Sequence, residues 1–161
     1  MTSAVSKQFK VVALASLLLV SFLVAGWLMI GPFSKRPQDL GVTDGGLRAC
    51  PDSPNCVCSQ DPPADDVHFV PPLQFEGNPA EAFARLREIV SEMPRTSIVT
   101  QSEEYMHVEF VSAIMRYVDD VEFLLDPSQG VIHVRSASRV GYSDLGANRK
   151  RVEEIRRRFD I

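Results

Sequence analysis

The stretch from Val121 to Ser138 constrains this chain more than any other. Two runs of alternating apolar and polar residues flank Asp126-Pro127-Ser128-Gln129-Gly130, a cluster of turn-forming residues. That combination predicts an antiparallel hairpin. If Asp126 faces Val131, then Leu125 faces Ile132, Phe123 faces Val134 and Glu122 faces Arg135. The apolar pairs then share one face. His133, Arg135, Ala137 and Arg139 share the other with Leu124, Glu122 and Asp120. A cross-strand Glu–Arg pair of this kind contributes about 0.2–1 kcal/mol. A slip of one residue would carry Arg135 into the apolar layer, so the register is firmly specified.

The remaining elements fall around this hairpin. Period-two patterning predicts strands over 96–101 and 105–111, joined by Ser102-Glu103-Glu104, and a further strand or bulged continuation over 113–118. Met106, Val108 and Phe110 share one face; Tyr105, His107 and Glu109 take the other. His68-Phe69-Val70 reads as a short edge strand. Upstream, Asn78-Pro79 is a matched N-cap and first-turn proline. Phe83, Leu86, Ile89, Val90 and Met93 follow at helical spacing until Pro94 stops the helix. At the C-terminal end, Asp144 is expected to cap a helix over 145–159 with Leu145, Val152, Ile155 and Phe159 as its apolar side. The expected architecture is α+β: an antiparallel sheet of four to five strands with two helices packed on it, preceded by one N-terminal transmembrane helix.

That last element rests on residues 11–30, which include no charged residue. As a helix, 20 residues reach about 30 Å, the thickness of a bilayer's hydrocarbon core. Val24-Ala25-Gly26 offers the small residues of a signal-peptidase site, but the apolar run continues through Trp27-Leu28-Met29-Ile30, which favours an uncleaved anchor. Trp27 also stands where a lipoprotein would have cysteine. The division expected is a cytoplasmic leader over 1–10, an anchor over 11–30, a linker over 31–46 and an extracytoplasmic domain over 47–161. Lys7 and Lys10 before the span against Lys35 and Arg36 after it give only a slight charge bias. The short leader favours a single pass with the domain outside.

Charge is unevenly placed. Residues 31–134 carry 7 basic and 17 acidic side chains, and residues 135–161 carry 8 basic and 4 acidic. With a formal net charge of −4, the composition gives no general case for nucleic-acid binding. The basic end either compensates the acidic part or offers a cationic patch to an anionic ligand or lipid surface. All three cysteines lie within Cys50-Pro51-Asp52-Ser53-Pro54-Asn55-Cys56-Val57-Cys58, read as a tight loop unsuited to helix or strand. Outside the cytoplasm a disulfide is the expected use. Cys50 with Cys56 and Cys50 with Cys58 are both feasible, and one thiol remains over. A soft-metal site on Cys-x-Cys with a distant histidine is the minor alternative.

Three ordered blocks carry a resemblance. Cys-Pro-Asp-Ser-Pro-Asn-Cys-Val (50–57), Asp-Asp-Val-Glu-Phe (119–123) and Arg-Ser-Ala-Ser-Arg-Val-Gly-Tyr-Ser-Asp-Leu-Gly-Ala-Asn-Arg-Lys-Arg (135–151) resemble the signature of the DUF1499 family, over about residues 47–159. The resemblance implies an envelope or secreted protein of bacteria, with relatives in photosynthetic organelles, and no established reaction. It also implies Cys50–Cys56 as the bridged pair, since the family pattern has serine where this chain has Cys58.

The candidate site is ligand-binding: Arg135, Arg139, Asp119, Asp120, Glu122, Asn148 and Arg149, with His107, Glu109 and His133 nearby. Paired guanidinium groups grip carboxylate or phosphate. Grouped carboxylates divide acid and base roles or hold a hard cation. Ser136 and Ser138 are expected to face inward, and neither has a candidate base; no cofactor is implied. The expectation is a non-catalytic binding or scaffold module, single-pass in the bacterial inner membrane with its C-terminal domain in the periplasm. Its partners would be the membrane and an anionic ligand or envelope protein. The alternative is a hydrolase or divalent-metal enzyme using Asp119, Asp120 and Glu122.

Overall fold

A computed structural model describes the backbone of residues 2–30 and 34–160 and the side chains of residues 10, 12–26 and 34–160. Helix α1 spans Thr2–Ile30. Then follow β1 (Cys56–Cys58), β2 (Leu73–Gln74), α2 (Pro79–Ser91), β3 (Thr96–Gln101), β4 (Tyr105–Val111), β5 (Val118–Asp126), β6 (Val131–Ser138) and α3 (Ala147–Phe159). The six strands form one antiparallel sheet in the order β1-β6-β5-β4-β3, with β2 also on the outer edge of β6. The class expected from the sequence is thus observed, with six strands in place of four to five.

The β5–β6 hairpin has the register that alternation demands, from Asp126 opposite Val131 through Glu122 opposite Arg135. Its turn is held by Asp126 Oδ1, which accepts from the backbone N–H groups of Ser128 (2.9 Å) and Gln129 (3.1 Å). Gly130 closes it at φ 66°, a left-handed conformation suited to glycine. The strand gained beyond expectation is β1, whose Cys56, Val57 and Cys58 pair with Ala137, Ser136 and Arg135. The cysteine segment is therefore part loop and part strand. His68-Phe69-Val70 makes a single bridge, Phe69 with Cys58, and no strand. Residues 112–117 form a turn and not the strand or bulged continuation expected over 113–118, and β5 begins at Val118.

Both later helices cover one face of the sheet. Asn78 caps α2, its Oδ1 accepting from Ala80 N at 2.9 Å and Glu81 N at 3.3 Å. Phe83, Leu86 and Val90 of α2 and Val152, Ile155 and Phe159 of α3 meet Met106, Val108, Val121, Phe123, Ile132 and Val134 in one core. Each such side chain, fully buried, is worth about 1.5–3 kcal/mol relative to exposure. Helix α3 starts at Ala147, two residues later than expected, because Gly146 takes the N-cap position in a left-handed conformation. Asp144 still serves that end: its carboxylate accepts from Gly146 N (2.9 Å) and Asn148 N (2.7 Å). Leu145 is not on the apolar side; it is 88% exposed.

Among the described residues no helix is long and apolar enough to cross a membrane, so the expected transmembrane helix is not found among them. The side chains of residues 11 and 27–30 in that span lie outside the described residues.

Candidate functional site

Strand alternation sends Tyr105, His107, Glu109, Asp120, Glu122, His133 and Arg135 to the face turned away from α2 and α3. This face is not open to solvent. Asp120, Glu122, Arg135 and His107 are all buried. What covers it is the segment read as a linker. Arg36 donates to Glu109 (Nε–Oε1 2.8 Å), Gly41 N donates to Glu122 Oε1 at 2.7 Å, and Ser34 O accepts from Arg139 Nη1 at 3.4 Å. Residues 34–48 form a strap over the sheet.

Under the strap the charges are ordered. Glu109 and Asp120 lie directly opposite each other on β4 and β5, an unfavourable pairing for two carboxylates. Arg139 resolves it. Its Nε donates to Asp120 Oδ2 at 2.8 Å and its Nη2 to Asp120 Oδ1 at 2.7 Å, a two-pronged grip, and Nη2 also reaches Glu109. His107 Nε2 lies 2.8 Å from Asp120 Oδ1. Burial pushes the Asp120 and Glu109 carboxyls up, but their hydrogen bonds to Arg139, and to His107 and Arg36 respectively, outweigh it and hold both below the usual carboxylate range. The Arg139 guanidinium is correspondingly pushed up, first by its bonds to Asp120. Glu122 accepts from Tyr105 Oη (2.8 Å), Gly41 N and Arg135 Nη1 (3.3 Å). Burial, reinforced by Glu122, pushes the Tyr105 hydroxyl well up, so it stays a donor.

Arg135 differs from Arg139. Among the described residues its one ion pair is the long contact to Glu122, and its buried Nε has no hydrogen-bond partner. It lines a cavity of about 110 Å³ with Arg48, Arg139, Asp120, Pro37 and Leu40. A wider cleft, about 810 Å³ between α2, the end of α3 and the β5–β6 hairpin, shares none of these residues. Its size does not make it the site, because among the described residues no buried unpartnered cation lines it.

The proposed acidic group is divided. Asp119 faces the helices, where it accepts from Arg151, whose guanidinium also sits 4.9 Å from the centre of the Phe110 ring. Arg151 Nη1 donates to Ser136 Oγ (3.0 Å) and Asn148 Oδ1 (2.5 Å). Asn148, fully buried, donates to Asn55 O at 2.8 Å and Ser138 Oγ at 3.0 Å, and Asn55 Nδ2 donates to Gly141 O at 2.5 Å. This is a fixed knot and not a ligand surface. Arg149 is spent on the carbonyls of Phe69 (2.9 Å), Asp66 (3.1 Å) and Val67 (3.0 Å). Arg156 likewise holds Pro72 O at 2.8 Å. Two of the eight basic side chains of the C-terminal end therefore clamp the irregular run before α2. Of the seven candidates, Arg135, Arg139, Asp120 and Glu122 converge; Asp119, Asn148 and Arg149 do not join them.

The bridge that the family resemblance implies, Cys50–Cys56, is present, which leaves Cys58 free and buried on β1 opposite Arg135, its thiol pushed up by burial. A polar pair was missed in the sequence. Ser59 Oγ lies 3.2 Å from His133 Nδ1, and His133 Nε2 lies 3.9 Å from Asp126 Oδ2. The order is that of a serine triad, but Ser59 is buried and accepts from Val134 N at 2.9 Å. At 3.9 Å the second contact is too long for a hydrogen bond. Only the β1–β6 pairing brings Ser59 to His133, and no local motif signals it. Among the described residues no group of three or more metal-ligating side chains is assembled.

Fold and site together define an α+β domain with a two-sided polar sheet: a closed knot beneath its helices and a strapped ion-pair face with one unsatisfied guanidinium. The chain belongs to the DUF1499 family, described as a protein of unknown function, whose model matches residues 46–159. No curated protein and no solved structure matches it.

Proposed function

We propose that this protein is a membrane-tethered binding module of the bacterial cell envelope, which receives a small anionic group under the strap without turning it over. The tether is residues 11–30, uncharged over 20 positions and helical throughout. From Val12 to Val24 its large apolar side chains are exposed, and Ser21 Oγ donates to Leu17 O at 2.8 Å, which satisfies that hydroxyl within the helix itself. The disulfide suits an oxidising compartment and hence the periplasmic side.

One observation carries the binding reading: the buried, unpartnered Nε of Arg135 beside the 110 Å³ cavity. A buried donor without an acceptor costs about 1–3 kcal/mol, and a carboxylate or phosphate oxygen would recover it. A cavity of this size holds such a group. The carboxylates an enzyme would use are occupied: Asp120 by Arg139 and His107, Glu122 by three donors, Asp119 by Arg151.

The test is thermal unfolding of the full chain in detergent with inorganic phosphate or acetate at matched ionic strength. Saturation at 100 times Kd would add about 2.7 kcal/mol and raise Tm. Arg48→Gln, at a half-exposed cavity residue, should weaken the response without unfolding the protein. A native Tm indifferent to both anions would overturn the proposal.

A further inference from the structure

The end of the sheet where β4 stops, β5 starts and β6 stops is unlike the rest of the domain. Val111 faces Val118 there, and Arg139 N donates to Val118 O at 3.1 Å, so the 112–117 turn and the 140–146 loop leave the sheet side by side. These two loops hold Ile114, Tyr142 and Leu145, exposed by 79%, 76% and 88%. The other exposed large apolar residues described outside α1, Val42 and Val67, reach only 45% and 53%. Burying three such side chains is worth several kcal/mol that the isolated domain forgoes.

Backbone strain collects at the same end. Four non-glycine residues are described at positive φ, and three of them lie here: Arg95 (60°), Arg116 (57°) and Leu145 (55°). Arg95 belongs to this end because Val111 N donates to its carbonyl at 3.0 Å. Such conformations are unfavourable for residues with a side chain and mark places where another demand prevails. Here an apolar tip is held outward beside two exposed arginines, Arg116 and Arg95, the latter steadied by its Nε, which donates to Val111 O at 3.1 Å.

The N-terminal helix arrives at this end too. Ser34 O is bonded to Arg139 Nη1, and Arg139 begins the loop that carries Tyr142 and Leu145. Helix α1 ends at Ile30, only four residues before Ser34, a reach of at most about 14 Å. Whatever surface α1 enters is therefore within reach of this end of the sheet.

We propose that this end rests on the membrane: Ile114, Tyr142 and Leu145 enter the head-group region of the bilayer, and Arg95 and Arg116 meet lipid phosphates. The proposal rests on the reading of α1 as the tether. An aromatic residue with a polar tip, flanking aliphatic residues and arginines are the composition that interfaces favour. The tether then fixes the domain's orientation as well as its address, with the β5–β6 hairpin at the far end pointing away.

The test is tryptophan quenching by brominated lipid, using the full chain reconstituted in vesicles of phosphatidylethanolamine and phosphatidylglycerol. Trp27 is the single tryptophan and lies in the tether sequence. In the native protein its emission reports the tether. Trp27→Phe with Leu145→Trp reports the docked end, and Trp27→Phe with Gln129→Trp reports the far hairpin. Leu145 and Gln129 are exposed, so both substitutions leave the fold intact. Loss of emission at 27 and 145 with none at 129 is expected. Quenching at 27 but not at 145 would overturn lipid docking, leave the tether standing and give these side chains to a protein partner. Equal quenching at 145 and 129 would overturn the end-on orientation. No quenching at 27 would overturn the tether, and the docking with it.

Discussion

Asp119 and Asp120 are neighbours in the chain and enter opposite worlds. Asp119 looks toward the helices, into a knot in which Arg151, Asn148, Ser136 and Asn55 use one another's donors and acceptors. Asp120 looks toward the strap, into a lattice in which Arg139 bridges two facing carboxylates while Arg135 keeps an unpaired donor beside a cavity. The three signature blocks all contribute to the knot: Asn55 from the first, Asp119 from the second, Ser136, Asn148 and Arg151 from the third. The knot explains why such polar residues suit a fold. Among the described residues two buried donors lack a partner; Arg87 Nε on α2 lines neither cavity described above, whereas Arg135 Nε sits beside the strap cavity, and that is where a ligand reading belongs.

The largest test of this contrast is Arg139→Ala. It leaves Asp120 only His107 and Glu109 only Arg36, and breaking a buried ion pair in this way costs about 3–5 kcal/mol. Urea unfolding would measure it, and a loss near that for a surface residue would dissolve the lattice. Next comes Asn148→Ala, which deprives Asn55 O, Ser138 Oγ and Arg151 of a buried partner; about 2–3 kcal/mol is expected in the same assay. Reducing Cys50–Cys56 should cost about 2 kcal/mol, because the loop it closes is short, and should loosen Asn55 beside it. Hydrogen exchange at Ser138 N, which donates to Asn55 O, would report that loosening.

The pH dependence separates the faces further. Asp120 and Glu109 are held below their ordinary range, so the unfolded chain binds protons that the folded one refuses. Their stabilisation is complete above about pH 4 and is lost as pH falls through their lowered values. His133, depressed by burial, has the same sign at higher pH: its contribution is present above about pH 6.5 and declines below it. Stability of His133→Gln measured against pH should lose this upper limb and keep the lower one; an unchanged profile would remove His133 from the account. The smallest effect belongs to Leu145→Gly. Because Leu145 is exposed at φ 55°, glycine should stabilise by about 0.5 kcal/mol in the absence of membrane.

The hairpin was legible because two independent signals agreed. Alternation set which residues face inward, and Asp126 to Gly130 set where the chain reverses. Helix α2 was legible through Asn78-Pro79 for a similar reason. The same alternation also places Asp119 with Val121 and Phe123, so its departure from the acidic group was readable and was overridden by the attraction of three clustered carboxylates. The strap was not readable. Arg36 meets Glu109 across 73 residues and Gly41 meets Glu122 across 81, and residues 34–48 have no period to announce a partner. Strand β1 was obscured because three residues are too few to show an alternation; the long edge of β6 imposes the pairing. Leu145 looked like a helix residue by spacing, but Gly146 delays the helix and leaves it outside.

The central claim is that the strap side can accept an anion and the knot side cannot. Arginine Nε–Hε resonances of the full chain, followed by NMR during a phosphate titration, test it at the atoms concerned, with Arg135→Lys and Arg151→Lys providing the assignments. A saturable shift of the Arg135 signal with the Arg151 signal unmoved is the expected result. An Arg135 signal that stays in place, or one that merely drifts together with Arg151, would contradict it.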